Sequence, residues 1–166
     1  MEHFEIFSME LLGQTLGDLV DEQGPLSITA GSDLTGQLLS ALEYIHGKGL
    51  VHRDIKPENM AIIPGSWSIR LIDFGFAYPA PTEIPAPQNT DNSAEFRTVF
   101  GTPSYASMNA HEGLRLAYRD DLESLAYTLF FCCVEAFPGL ITRSMGLFMR
   151  KSARFGNKND AGLAQT

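Results

Sequence analysis

The chain has 166 residues, 44% of them hydrophobic and 19% charged, enough for one globular domain and too few for two large ones. Twenty acidic side chains against twelve Lys and Arg leave a formal net charge of -8. That balance argues against a nucleic-acid or anionic-membrane surface, both of which need basic patches, and leaves proteins and nucleotides as the expected partners.

In chain order, residues 4–12 open as an apolar, strand-like run that passes through Leu11-Leu12-Gly13. A short helix is predicted over residues 15–20, stopping near Gly24-Pro25. Residues 32–46 form the clearest amphipathic helix, with Leu34, Leu38, Leu39, Leu42 and Ile45 on one face and Gly47 as the stop. His46 near its end reads as a helix-end residue favoured by the macrodipole, with no further role. Short β-branched runs at 50–51, 60–63 and 69–72 predict buried strands. Pro79, Pro81, Pro85 and Pro87 make residues 78–96 a loop; Thr90 and Ser93 within it, and Thr98 just after it, are ordinary loop hydroxyls. Residues 119–140 hold the most apolar stretch; Glu135 and Pro138 interrupt it too early for a membrane span, so a buried helix is predicted. Residues 141–166 carry scattered basic residues and end as a frayed tail. The start of the chain shows no secretory pattern, which predicts an intracellular location, in cytoplasm or nucleus. The adjacent Cys132 and Cys133 suit neither a disulfide framework nor zinc and read as buried thiols.

The chemistry concentrates between Gly49 and Gly75. His52 to Asn59 spell HRDIKPEN and Ile72 to Gly75 spell IDFG, each at the end of a predicted strand. The amide oxygen of Asn59 and the carboxylate of Asp73 suit a hard divalent cation, magnesium, that takes its remaining ligands from water and phosphate. Asp54, five residues before Asn59, can face that cation without ligating it and accept a proton from a hydroxyl. Lys56 points to the same side and can neutralise phosphate charge. Any one of these strings alone would be an ordinary turn; the two in this order are far more specific.

HRDxxxxN followed by DFG resembles the catalytic-loop and metal-loop pair of eukaryotic protein kinases. Residues 101–127, GTPSYASMNAHEGLRLAYRDDLESLAY, are similar to the casein kinase I family, in which Ser-x-Asn, here Ser107, Met108 and Asn109, replaces the usual Ala-Pro-Glu. MELLGQTLGDL from Met9 resembles the same family's hinge and following helix. The resemblance implies a fold that is mainly α with short β hairpins, a kinase-like C-terminal lobe over residues 1–140 with the N-terminal lobe missing, followed by a diverged basic tail over 141–166. It implies a serine/threonine kinase using ATP and Mg2+ on protein substrates. Asp54, Lys56, Asn59 and Thr102 would be catalytic. Met9 would be the gatekeeper, the backbone of Glu10 and Leu12 would meet the adenine edge, Ala61 would line the nucleotide site, and Asn59 and Asp73 would bind the metal. It also implies that Asp121 bonds the backbone around His52 and Arg53, that His52 stacks beneath Phe74, and that Thr102 contacts Asp54 and Lys56.

Two departures qualify this. Ser104 stands where the family carries a basic residue for phosphate on a primed substrate, so little preference for primed peptides is expected, though Arg97 and Arg119 supply charge nearby. No glycine-rich loop and no Val-Ala-x-Lys string occurs in the 166 residues, so an incomplete domain, inactive alone, is expected. A non-catalytic binding module is the alternative, against which the intact Asp54, Asn59 and Asp73 count. A metal-assisted phosphohydrolase would need further carboxylate ligands at suitable spacing.

Overall fold

The computed structural model describes residues 8–81 and 101–133. The predicted start of the chain before Ser8, the loop hydroxyls Thr90, Ser93 and Thr98, Arg97, and everything after Cys133 lie outside the described residues. Within them the fold is mainly helical, with two small antiparallel sheets.

Helix α1 (Leu16–Gln23) starts where Thr15 and Asp18 cap each other reciprocally: Asp18 N donates to Thr15 Oγ1 at 3.1 Å, and Thr15 N donates to the Asp18 carboxylate at 2.9 Å. Two otherwise orphaned donors are satisfied, and that fixes the helix start. Helix α2 (Ile28–Gly47) begins four residues before the predicted start, because Ser27 caps it by accepting from Ala30 N. The added turn includes Gly31, where a Cβ would come within 2.6 Å of Cys133 Sγ, so close packing requires glycine there.

The apolar face of α2, with Leu34, Leu38, Leu42 and Ile45, packs on Leu125 of α4 (Tyr118–Cys132) and Met60 of β2 (Met60–Ile62). Gln37 on the same helix donates to Trp67 O and accepts from Ile69 N, each at 2.9 Å. This pins the hairpin of β2 and β3 (Ile69–Leu71), which pair with Ala61 opposite Arg70, against the helix.

Three expectations are corrected. Residues 8–14 form no strand; pairing begins only at Gly13, whose N–H donates to Ile62 O while Ile62 N donates to Gln14 O, so the backbone before it has no described ladder to join. The proline-rich loop starts later than predicted, because Tyr78–Pro79 forms β4 antiparallel to β1 (Leu50–Val51), an edge position that tolerates a residue without an N–H. The described part of α4 is buried on one face only. Asp121, Leu125, Thr128 and Cys132 recur at helical spacing toward α2, with Asp120 and Ser124 buried beside them, while Leu122 and Phe131 on the two flanks are exposed. Among the described residues no helix is long and apolar enough to cross a membrane.

Candidate active site

The loop after β1 is held from beneath by a single carboxylate. Asp121, 1% exposed, accepts from His52 N at 2.8 Å and Arg53 N at 2.9 Å. A third donor comes from α2: His46 Nε2 lies 2.8 Å from Asp121 Oδ2, with its ring stacked on Tyr118 at 4.5 Å. An ionised carboxylate only accepts, so His46 presents Nε2–H to it. His46 is therefore not a bare helix-end residue, and its expected lack of a role is corrected; a contact 75 residues apart in the chain leaves no local sequence signal.

This anchoring coincides with backbone strain. Arg53 has φ of 70° and Asp73 of 59°, the two non-glycine residues at positive φ among those described. Such conformations cost about 1–3 kcal/mol each and persist only where the surroundings over-determine them. At Arg53 they do, since Nε also donates to Phe76 O at 2.5 Å and the guanidinium lies 4.9 Å from the Tyr78 ring centroid.

The strained turn delivers Asp54 into a junction. Its Oδ1 accepts from Thr102 N at 3.0 Å and Thr102 Oγ1 at 3.2 Å; its Oδ2 meets Lys56 Nζ at 2.9 Å and Asn59 Nδ2 at 3.0 Å. Lys56 Nζ also donates to Thr102 Oγ1 at 3.0 Å. Asp54, Lys56, Asn59 and Thr102, drawn from two segments far apart in the chain, Lys56 and Thr102 being 46 residues apart, thus share one hydrogen-bonded cluster, and Asp54 is 4% exposed. Gly101, at φ 88°, makes the close approach possible, since a Cβ there would sit 2.7 Å from Arg53 O. Gly101→Ala should push Thr102 off Asp54, lowering any activity of the site by tenfold or more (on the order of the cost of a 1 Å misplacement), and should lower the melting temperature by several degrees, because a non-glycine residue at positive φ costs about 1–3 kcal/mol. Unchanged activity would show the contact to be dispensable.

Asn59 spends both Nδ2 hydrogens on Asp54, to its backbone O at 2.8 Å and to its carboxylate. Its amide oxygen is thereby turned away from Asp54. Asp73 is exposed and uses Oδ1 to accept from Gly75 N at 3.1 Å. One amide oxygen and one exposed carboxylate suit a hard cation that brings water and phosphate as its other ligands. Among the described residues no group of three or more His, Cys, Asp or Glu forms a self-sufficient metal site.

His52 supports this arrangement from inside. Its ring meets Phe74 at 4.8 Å, tilted by 60°. Nε2 lies 3.1 Å from Ile72 O, and Nδ1 accepts from Asp54 N at 3.4 Å. Only a neutral imidazole can donate at one nitrogen and accept at the other. Burial accordingly pushes His52 below histidine's ordinary 6.5, outweighing the opposing pull of Asp121, the Ile72 carbonyl, Asp54 and Asp73. Because the unfolded chain takes up that proton first, His52's contribution is present above pH 6.5 and is lost as pH falls through the depressed folded value. The urea midpoint should fall more steeply between about pH 7 and pH 5 in the wild type than in His52→Asn. Equal slopes would contradict a neutral buried ring.

The residues expected at adenine lie along the hairpin. Glu10, exposed, sits 3.9 Å from Arg70, and Thr15 bridges Ala61, which is buried. Met9 stands 61% exposed, outside the buried cores, and Leu12 is half-buried. No described hydrogen bond joins Met9, Glu10 or Leu12 to the Asp54 cluster. With this geometry in view, comparison with known families matches the chain to the protein kinase domain over residues 2–137.

Proposed function

Because the chain belongs to the protein kinase domain family, we propose that it is a serine/threonine kinase of casein kinase I type that moves the γ-phosphoryl of ATP to protein hydroxyls. Residues 1–140 would correspond to its C-terminal lobe and 141–166 to a basic tail, the glycine-rich loop and strand lysine being elements this sequence does not include. The observation that carries the reading is the convergence of Thr102, Lys56 and Asn59 on the Asp54 carboxylate.

When bound, magnesium and ATP supply the electrophilic phosphoryl group and the charge that screens it. The chain's own residues would do the rest. Asn59 and Asp73 would hold the cation, Met9, Ala61 and the backbone of Glu10 and Leu12 would take the adenine, and Lys56 would neutralise phosphoryl oxygens. Asp54 already has four donors on its two oxygens, so an incoming hydroxyl must displace one. Thr102 Oγ1, at 3.2 Å the longest of the four, is the one to yield. Asp54 then accepts the substrate proton as general base.

The test is an acceptor series with the complete protein, ATP and Mg2+. Serine and threonine peptides should be phosphorylated and a tyrosine peptide not. A phosphoserine placed upstream should change the rate little, given Ser104. Transfer to tyrosine, or a large gain on priming, would refute the respective part.

A further inference from the structure

Helix α4 begins with two adjacent buried acids, and only Asp121 is accounted for by the loop it holds. Asp120, 2% exposed, faces the other way. Its Oδ1 accepts from Ser107 Oγ at 2.8 Å and Asn109 Nδ2 at 2.9 Å, and its Oδ2 accepts from Ala117 N at 2.7 Å. Arg119, largely exposed, approaches only to 4.0 Å, a distance at which solvent screens it. Three directed hydrogen bonds to a desolvated carboxylate make a strong, geometrically specific anchor.

What this anchor holds is the far end of the segment that contacts Asp54. Tyr105 N and Ala106 N both donate to Thr102 O, closing residues 102–106 into a tight turn. One end of that turn, Thr102, rests on Asp54 and Lys56. The other, Ser107, both caps the short helix α3 (Met108–His111) through Ala110 N and donates to Asp120. Neighbouring residues of one helical turn thus grip the two strips that must meet: Asp121 the His52–Arg53 backbone, Asp120 the Ser107–Asn109 strip.

We propose that Asp120 is a positioning residue which, through Ser107 and Asn109, sets the acceptor-facing turn 102–106 at a fixed distance from Asp54. The proposal rests on the kinase reading for its catalytic consequence and not for its structural one. Its effect falls on the protein substrate and, through Thr102, on the Asp54 junction, because Asp120 touches none of the residues assigned to the cation and adenine.

The experiment uses Asp120→Asn and Asn109→Ala in the complete protein, the second being a milder change that leaves the buried carboxylate with Ser107 and Ala117 as partners. Amide hydrogen exchange is read first. Exchange at residues 102–110 should quicken about tenfold or more in both variants, while His52 and Arg53, held by Asp121, keep their protection. Kinetics follow: the peptide KM should rise several-fold with the ATP KM unchanged. Unaltered exchange at 102–110, or uniform loosening of His52 and Arg53 as well, would overturn the positioning role whether or not the protein phosphorylates anything. Faster exchange with an unchanged peptide KM in an active enzyme would overturn it too. A wild type that transfers no phosphoryl group while the exchange pattern holds supports the positioning role and refutes the kinase reading alone.

Discussion

Asp54→Asn should reduce phosphoryl transfer by about 10²- to 10⁴-fold, the range over which a general base acts, while leaving the fold in place. The amide keeps one acceptor oxygen for Thr102 and replaces the other by an NH2 facing Lys56 and Asn59, which are donors themselves. Some local rearrangement of Lys56 is therefore expected, and its partly exposed ammonium can turn to water. The check is steady-state transfer to a serine peptide alongside circular dichroism. A folded variant retaining a tenth or more of wild-type transfer would remove Asp54 from the role of base.

Replacing Asp121 attacks the same site through stability. Asp121→Ala strips the acceptor from two backbone N–H groups and from His46, all close to a carboxylate that is 1% exposed. Leaving such donors unpaired should cost about 3–5 kcal/mol, a melting temperature lower by roughly 10 °C. The positive φ of Arg53 would also lose the hydrogen bond from its amide, so the turn should relax toward an unstrained conformation and carry Asp54 with it. Activity should then be lost even at temperatures where the variant is folded. Differential scanning calorimetry decides the first point; a change under about 1 kcal/mol would mean that the loop is held by something else.

How far the sequence carried can be seen residue by residue. Asp54, Lys56 and Asn59 lie within six residues, so their spacing alone suggests a common face, and the strand-length gap to Asp73 places a fourth polar group at a neighbouring strand end. The α2 face, with Leu34, Leu38, Leu42 and Ile45, follows from helical periodicity, because burial against one neighbour imposes it, whereas Leu39, expected on the same face, is 45% exposed. What stayed hidden is long-range. His46 reaches Asp121 across 75 residues, and no local pattern distinguishes a histidine that meets a buried acid from one that ends a helix. Asp120 and Asp121 look alike in sequence, yet successive positions on a helix point about 100° apart, so they serve different loops. Pro79 argued for a loop and sits in a strand, because its missing N–H lies where β1 asks for none. Expectations about the adenine-facing residues came from resemblance, since the apolar run over residues 4–12 suggested only a strand, which residues 8–14 do not form, and Met9 is exposed.

The most direct measurement is transfer of the terminal phosphoryl of labelled ATP by the complete wild-type protein to a serine peptide, with and without magnesium. The account predicts labelled phosphoserine that requires magnesium and disappears in Asp54→Asn. Binding of the peptide with no labelled product at any magnesium concentration would contradict it, and would leave the Asp54 cluster as the floor of a non-catalytic binding cleft.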